Sequence, residues 1–412
     1  MKKKKIIFLF SQLTQSDLEN LNLYDLKKNF LVKFIDISKL VTDKKNLKKF
    51  QAQKKKLNYK IVKSFEILKN ELTNTNYIFD NNFQFTISKK LNALLKQIPN
   101  KVKTMSQLNG VVPNFLNHSI KDKAYFIFVY LFYLLKYLKF NVLKKNILDF
   151  IASQKNRKNY KNFYHFYDHI LVSTDLDKLT ANKFFKNSNK IMVHNRDYER
   201  HILNSKYKNK SSNTNSTQQQ NYAVFLDQAF YNHPDDFIFG FNKYQKKEDL
   251  KMYLKTLNNF FNIFEKKTQT KVIIAAHPRT INLKYLKYFI GRKIIFNKTY
   301  DLIKNAKLVF AHSSTSVGYA VILKKKLVFL NSSLMFNLSM FSQILSFSIE
   351  TKGKHIFFDK IKSEEFSNFF NADFSLYPNY IRKYLKSPQS QKQSLWDITS
   401  LNFKKNKNFS KK

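Results

Sequence analysis

Short apolar runs, separated by segments rich in lysine and asparagine, set the pattern of the first half of the chain. The runs at residues 5–10, 30–37, 169–173 and 190–193 have the length of buried strands. A longer apolar run at 124–135 predicts a buried helix that continues to residue 150. This run is shorter than the ~18–20 residues that span a bilayer, and a basic helix that binds anionic lipid is the alternative for it.

The second half alternates strands and helices more regularly. It predicts strands at 222–226, 271–276, 293–296, 307–311, 327–330 and 355–358, and helices at 246–265, 300–305 and 316–323. Continuous apolar strands that alternate with helices are typical of a parallel sheet with helices on both faces. The predicted fold class is therefore α/β, with two Rossmann-like domains that face a cleft.

A polar, low-complexity stretch at residues 206–221 separates the two halves. It has almost nothing to bury, which predicts a linker. The N-terminal domain is then predicted over residues 1–205. The C-terminal domain, with helices at its end, is predicted over residues 222–412.

Composition narrows the chemistry. The 412 residues include no cysteine and five glycines, none of which is spaced as G-x-G-x-x-G or as a P-loop. A thiol nucleophile and a Cys-ligated metal are excluded, and a glycine-cradled dinucleotide site or P-loop is disfavoured. The formal net charge of +46 suits a nucleic acid, an anionic lipid or a phosphorylated substrate. A non-enzymatic, basic protein that binds nucleic acid or another polyanion is therefore the alternative to an enzyme.

The first ten residues carry four lysines and then an apolar run of about five residues, whereas a signal peptide needs roughly 7–15. We therefore expect a cytoplasmic protein. Lysine-rich segments at 2–5, 44–60 and 404–412 suit peripheral contact with the anionic inner face of the cell membrane, and solvated tails and loops are the alternative for them.

The predicted strand at 271–276 is followed by His277, Pro278 and Arg279. In open α/β sheets, ligands bind beyond the carboxyl ends of the strands. An imidazole and a guanidinium at that edge can both donate hydrogen bonds to a phosphate. A plain His-Pro turn with a solvated arginine is the alternative.

A second polar group follows the predicted strand at 307–311 and directly precedes a helix. It consists of His312, Ser313, Ser314, Thr315 and Ser316. Hydroxyl groups at the start of a helix can hold a phosphate without a glycine-rich loop. An ordinary serine or threonine helix cap is the alternative.

Carboxylates follow two other strands. Asp227 comes after the strand at 222–226 and is a candidate general base, or a group that holds a sugar hydroxyl. Asp175 and Asp177 follow the strand at 169–173 in a D-x-D pattern, which either binds metal or forms a solvated turn.

His277-Pro278 after one strand and Ser313-Ser314-Thr315 after a later one resemble motifs of the GT-B glycosyltransferases, and within them of the bacterial sialyltransferase and polysialyltransferase group. In that group the two motifs bind the phosphate and nucleotide of a CMP-activated sugar. The resemblance implies transfer of a sugar from a nucleotide-activated donor, such as CMP-nonulosonate or CMP-Kdo, to a surface glycan of the capsule, O-antigen or lipooligosaccharide type. It assigns the acceptor to the N-terminal domain and the donor to the C-terminal domain.

The same resemblance implies roles for the candidate residues. His277 and Arg279 neutralise the leaving phosphate, with His277 also catalytic, and the group from His312 to Ser316 holds the phosphate oxygens. The acidic pair before glycine that supplies the base in that group does not occur here, so Asp227 is the candidate base. No cofactor or divalent metal is required, and the partners are a nucleotide-sugar and a glycan or glycolipid acceptor, with no specific nucleic acid. A phosphotransferase or sugar epimerase on the same scaffold stays open.

Overall fold

The computed structural model describes residues 3–11, 13, 17–18, 21–41, 59–81, 88–108, 112–113, 120–137, 167–208, 221–229, 247–278, 283–332 and 338–409. The chain divides into two compact units. The first combines residues 1–111 and 160–212 with 382–412, and the second combines residues 112–159 with 213–381.

The first unit is built on a seven-stranded parallel sheet with the strand order β3-β2-β1-β4-β5-β6-β7. Its strands are β1 (Lys4–Phe10), β2 (Phe30–Asp36), β3 (Lys60–Ile61), β4 (Tyr77–Asp80), β5 (Lys103–Leu108), β6 (His169–Val172) and β7 (Asn189–Met192).

The second unit has a six-stranded parallel sheet with the order β10-β9-β8-β11-β12-β13. Its strands are β8 (Tyr222–Leu226), β9 (Lys271–Ala276), β10 (Ile294–Phe296), β11 (Leu308–Ala311), β12 (Lys326–Asn331) and β13 (Lys354–Phe357).

Helices connect the strands of both sheets. In chain order the α-helices are α1 (Leu23–Asn29), α2 (Ser38–Val41), α3 (Phe65–Thr73), α4 (Lys89–Leu95), α5 (Ile120–Tyr137), α6 (Asp175–Phe184), α7 (Arg196–Lys208), α8 (Lys247–Thr268), α9 (Thr299–Asn305), α10 (Val317–Ile322), α11 (Leu338–Thr351), α12 (Tyr377–Tyr380) and α13 (Leu395–Phe409). Two 3-10 helices span Leu283–Tyr288 and Ser363–Phe370, and a π-helical turn spans Ile381–Leu385.

Both faces of the first sheet are covered by apolar cores, which explains why β1 is apolar at every central position. Ile6 and Phe8 belong to the core on one face, whereas Ile7 and Leu9 belong to the core on the other. Successive side chains of a strand point to opposite faces, so a strand buried on both sides has no polar alternation. The predicted α/β class with two parallel sheets is confirmed.

The C-terminal helix α13 packs on the first unit, because Trp396 is buried there against Phe8 and Phe79. The structure thus groups residues 382–412 with the N-terminal unit, whereas the sequence analysis assigned 222–412 to one C-terminal domain. Of the predicted linker at 206–221, residues 209–220 lie outside the described residues.

Three strands of the first unit, β3, β4 and β5, were not predicted from the sequence. A buried helix was predicted at 124–150. The structure has a helix there, α5 at Ile120–Tyr137, but several of its large apolar side chains are exposed, so the predicted burial is wrong. Residues 138–150 lie outside the described residues. Within the described ranges, no helix combines the length and apolarity needed to cross a bilayer.

Candidate functional site

The strand order of the second sheet reverses between β8 and β11. From β8 the chain continues to β9 and β10 on one side of the sheet, while β11 leads to β12 and β13 on the other side. In open parallel sheets, the crevice beyond the carboxyl ends of two such strands is the usual ligand site. The segments that follow β8 and β11 therefore form the candidate site of this unit.

The strand register brings three of the predicted segments to one level at this edge. Leu226 of β8 pairs with Ala275 of β9 and with Ala311 of β11. Asp227 and His312 are therefore level with each other, and His277 lies one residue further along its strand. Since neighbouring strands are about 4.8 Å apart, these segments are brought together as the sequence analysis expects.

Gln228 joins the two segments that flank the reversal point. Its side-chain Oε1 accepts a hydrogen bond of 2.8 Å from the Ser313 backbone N–H, and its Nε2 donates one of 3.4 Å to the Ser313 hydroxyl. This two-point contact sets the position of the serine-rich segment relative to β8. Gln228 was not predicted as a site residue from the sequence, although its place directly after Asp227 at a strand end was a usable signal.

Asp227 is mostly buried, at 9% exposure, and its carboxylate shapes the turn that carries Gln228. Asp227 Oδ1 accepts a 3.0 Å hydrogen bond from the Ala229 N–H, and the Asp227 N–H donates to the Ala275 carbonyl over 3.1 Å. Ala229 has a φ of 50°, a conformation that costs energy for a residue with a side chain. Part of the Asp227 carboxylate is thus committed to holding a strained turn.

The serine-rich segment turns directly into α10. The Ser314 hydroxyl accepts a 3.2 Å hydrogen bond from the Ser316 N–H, and the Ser314 carbonyl accepts one of 3.1 Å from the Val317 N–H. Ser316 is the first residue before the helix, but its hydroxyl does not cap it. Thr315 is exposed, and Ser314 and Ser316 are partly exposed. The hydroxyls of Thr315 and Ser316 are therefore accessible for a ligand at the strand ends.

The predicted His-Pro turn follows β9 directly, and both His277 and Pro278 are partly exposed. β9 lies next to β8, which places the imidazole of His277 at the same sheet edge as the serine-rich segment. Arg279, which the sequence analysis placed beside His277, lies outside the described residues.

His312 does not reach the ligand side, and this corrects the prediction that it binds the donor. The residue is 2% exposed, and its Nδ1 donates to the Leu330 carbonyl over 2.6 Å. Because the proton of the neutral ring is on Nδ1, Nε2 accepts a 2.8 Å hydrogen bond from the Tyr253 hydroxyl. Burial lowers the pKa of His312 to about 4, so the ring is neutral at pH 7. His312 is a core residue that positions Ser313.

We expect His312 to make the protein less stable in mild acid. Its pKa is about 4 in the folded protein, against about 6.5 for an unperturbed histidine. Between these values the unfolded chain takes up a proton that the folded chain does not, so the free energy of unfolding falls as the pH falls. Lowering the pH from 7.5 to 5 should remove about 2 kcal/mol through this one group. Denaturant unfolding of wild type and His312→Gln at both pH values measures the difference.

His355, whose pKa burial also lowers to about 4, contributes in the same direction to both proteins, so the comparison isolates His312. An equal loss of stability in wild type and His312→Gln contradicts the assignment of a neutral, buried His312.

The D-x-D pattern forms the first turn of α6. The Thr174 hydroxyl accepts a 3.1 Å hydrogen bond from the Asp177 N–H, and the Asp175 carboxylate accepts one of 2.8 Å from the Ser387 hydroxyl. Asp177 is buried, at 2% exposure. Both aspartates therefore belong to the packing of this helix end. No group of three or more His, Asp or Glu suited to a metal ion occurs among the residues that the structure describes.

A cavity of about 390 Å³ lies at the opposite edge of the second sheet, before β11 and β12 begin. Its lining is Lys304, Asn305, Lys307, Leu323, Lys324, Lys325 and Lys326. Because the strands start there rather than end, this lysine-rich cavity is separate from the candidate site.

No protein-family model matches the chain, and no curated protein is significantly similar to it. The chain is similar to many solved structures, including the following two, which match nearly its whole length. The UDP-GlcNAc 2-epimerase of Methanocaldococcus jannaschii, in complex with UDP-GlcNAc and UDP, is 15% identical, with a TM-score of 0.52 over 98% of this chain and 99% of that one. The H444N variant of the wall teichoic acid polymerase TagF is 12% identical, with a TM-score of 0.53 over 100% of this chain and 91% of that one.

At these identities the likeness concerns the fold. Together with the two parallel sheets, it confirms the expectation of two Rossmann-like domains of the GT-B type.

Proposed function

We propose that this protein is a glycosyltransferase that binds a nucleotide-activated sugar at the carboxyl edge of its second sheet. The observation that carries the proposal is the convergence of His277, Gln228 and the segment Ser313–Ser316 at the reversal point of that sheet. The likeness in fold to a UDP-GlcNAc 2-epimerase and to a wall teichoic acid polymerase supports the proposal, since both match this chain over both of its units.

The chemistry of sugar transfer fits these groups. Departure of the sugar leaves negative charge on the nucleotide phosphate, and donors aimed at that charge lower the barrier. His277 supplies such a donor in its protonated form, while Thr315 and Ser316 supply hydroxyls to the phosphate oxygens. Arg279 is proposed to add a fixed positive charge beside His277.

The acceptor hydroxyl needs a base, and Asp227 is proposed for this role. Asp227 directly follows β8 at the level where β11 ends, and a candidate base must come within hydrogen-bond reach of the proton that it removes. The acceptor is proposed to be a surface glycan or glycolipid. The donor is proposed to carry CMP, with a nonulosonate or Kdo as the sugar, because of the His-Pro and Ser-Ser-Thr motifs. The proposed chemistry needs neither a divalent metal nor another cofactor.

A nucleotide panel tests the donor site. We expect one of CMP, CDP, UDP, GDP and TDP, without Mg²⁺, to stabilise the purified protein in thermal unfolding. A ligand at about 100 times its Kd adds about 2.7 kcal/mol, which is a readily measured shift. Thr315→Val removes one hydroxyl at nearly constant volume and should weaken nucleotide binding about tenfold, the typical value of a hydrogen bond to a charged group.

Thr268→Val is the matched control, because Thr268 precedes β9 at the other edge of the same sheet and its hydroxyl donates to the Phe264 carbonyl within α8, over 2.8 Å. Stabilisation by no nucleotide, with binding of nucleic acid or heparin instead, contradicts the proposal and favours the polyanion-binding alternative. Nucleotide binding with isomerisation of the donor sugar and no transfer to an acceptor assigns the site to an epimerase instead.

A further inference from the structure

Helix α5 of the second unit exposes a continuous apolar surface. Among the side chains of this 18-residue helix that the structure describes, seven large apolar ones are exposed; they are Ile120, Tyr125, Ile127, Phe128, Leu131, Phe132 and Leu135. Three of them are more than two-thirds exposed: Ile120 at 87%, Phe128 at 68% and Leu135 at 82%. A soluble surface rarely carries so many neighbouring apolar side chains, and such patches mark sites of interaction.

The spacing of these residues puts them on one side of the helix. Ile120, Ile127, Leu131 and Leu135 recur at intervals of four or seven, and Phe128 and Phe132 extend the same side by a further column. The surface runs about 22 Å from Ile120 to Leu135, at 1.5 Å per residue. The helix also packs against α11, so it is held on the second unit while this side faces outward. We call these seven residues the exposed face of α5.

The positive charge of this part of the chain indicates which partner contacts the exposed face of α5. Residues 120–166, which contain α5, include ten Lys and Arg residues against two Asp, and Lys121 is itself exposed at the start of the helix. The whole chain has a net charge of +46. A second copy of the protein would bring two chains of high positive charge together, whereas an anionic lipid surface attracts such a chain. Aromatic and aliphatic side chains beside lysines are the pattern of helices that lie in a membrane interface.

We propose that the exposed face of α5 docks this protein on a membrane surface that contains anionic lipid. The helix lies in the plane of the interface and does not span the bilayer. Phe128, Phe132 and Leu135 enter the boundary between headgroups and acyl chains, and the lysines contact lipid phosphates. This inference does not depend on the proposed donor site.

Co-sedimentation of the full chain with vesicles tests the proposal. We expect binding to vesicles of phosphatidylcholine and phosphatidylglycerol at 0.1 M salt, and much weaker binding to phosphatidylcholine alone. Phe128→Ser/Leu135→Ser should bind the anionic vesicles at least tenfold more weakly, since two large apolar side chains no longer enter the interface. In wild type, part of the binding should persist at 0.5 M salt, where screening removes most purely electrostatic attraction.

Leu179→Ser/Ile290→Ser is the matched control, because these side chains are 65% and 75% exposed but lie outside α5. It should bind within twofold of wild type, and both variants should keep the wild-type melting temperature. Equal binding by the two double variants overturns the proposal, because charge alone then accounts for it. Failure of wild type to bind any vesicle also overturns the proposal. A dimer in solution that only the α5 variant disrupts overturns it as well, because the exposed face of α5 then contacts a second copy of the protein.

Discussion

We expect His277→Ala to lower turnover of the nucleotide-sugar donor by roughly 10²-fold or more, because a donor aimed at the developing charge of the leaving phosphate is lost. His277 is partly exposed and directly follows β9, so its removal leaves no buried cavity. The melting temperature should therefore stay within a few degrees of wild type. Donor consumption under saturating acceptor, measured with whichever nucleotide the binding panel selects, gives the comparison.

His201→Ala is the control for loss of a histidine, since His201 is a half-buried residue of α7 in the first unit. Asp227→Asn in the same assay separates the two uses of Asp227. The amide oxygen of the asparagine still accepts the hydrogen bond from the Ala229 N–H and keeps the turn, but the general base is lost. A large drop in turnover therefore supports Asp227 as the base. Turnover at the wild-type rate restricts Asp227 to holding the turn. Near-wild-type turnover of His277→Ala rules out the proposed role of the His-Pro turn.

The second large effect concerns stability: Trp396→Ala should destabilise the first unit by about 3–5 kcal/mol, the usual cost of emptying a large aromatic site. Trp396 is 1% exposed, and its ring packs edge-on against Phe8 and Phe79, with centroids 5.4 and 5.7 Å away. Its Nε1 donates a 2.5 Å hydrogen bond to the Leu21 carbonyl. The substitution therefore opens a cavity and leaves a buried carbonyl without this donor.

Denaturant unfolding measures this effect, with hydrogen exchange in β1 and β4 to assign the transition to the first unit. Leu401→Ala in the same helix is the control, because Leu401 is 40% exposed and should cost well under 1 kcal/mol. A loss from Trp396→Ala no larger than that from Leu401→Ala would show that α13 is not part of the folded first unit.

Several strands could be predicted from the sequence almost to the residue. The predictions at 222–226 and 271–276 coincide with β8 and β9, and the prediction at 307–311 starts one residue before β11. These strands are buried on both sides of a parallel sheet, and this burial requires a continuous apolar run that is visible in the sequence alone. The order of strands and polar segments along the chain was also enough to place His277 and the serine-rich segment at one edge.

Strand β5 could not be predicted from a continuous apolar run. Its sequence carries Ser106 and Gln107 at positions that prove to be buried, at 0% and 2% exposure. They are tolerated because Ser106 donates to the Asp80 carbonyl over 2.7 Å, and Gln107 donates to the Ser173 hydroxyl over 3.1 Å. A buried polar group is acceptable when it has such partners, and those partners are distant in the sequence.

The sequence by itself determined the fold class, the positions of strands with continuous apolar runs such as β8, β9 and β11, and the polar residues that follow them, because each depends on neighbours along the chain. Only the tertiary structure decided that His312 faces the core, that Gln228 bridges β8 to Ser313, that α13 belongs to the first unit, and that α5 keeps one apolar side outward. Each of these depends on which distant group supplies a hydrogen bond or covers an apolar surface. A local pattern of polar and apolar residues shows that such a partner is needed, but its identity follows only from the packing of the whole chain.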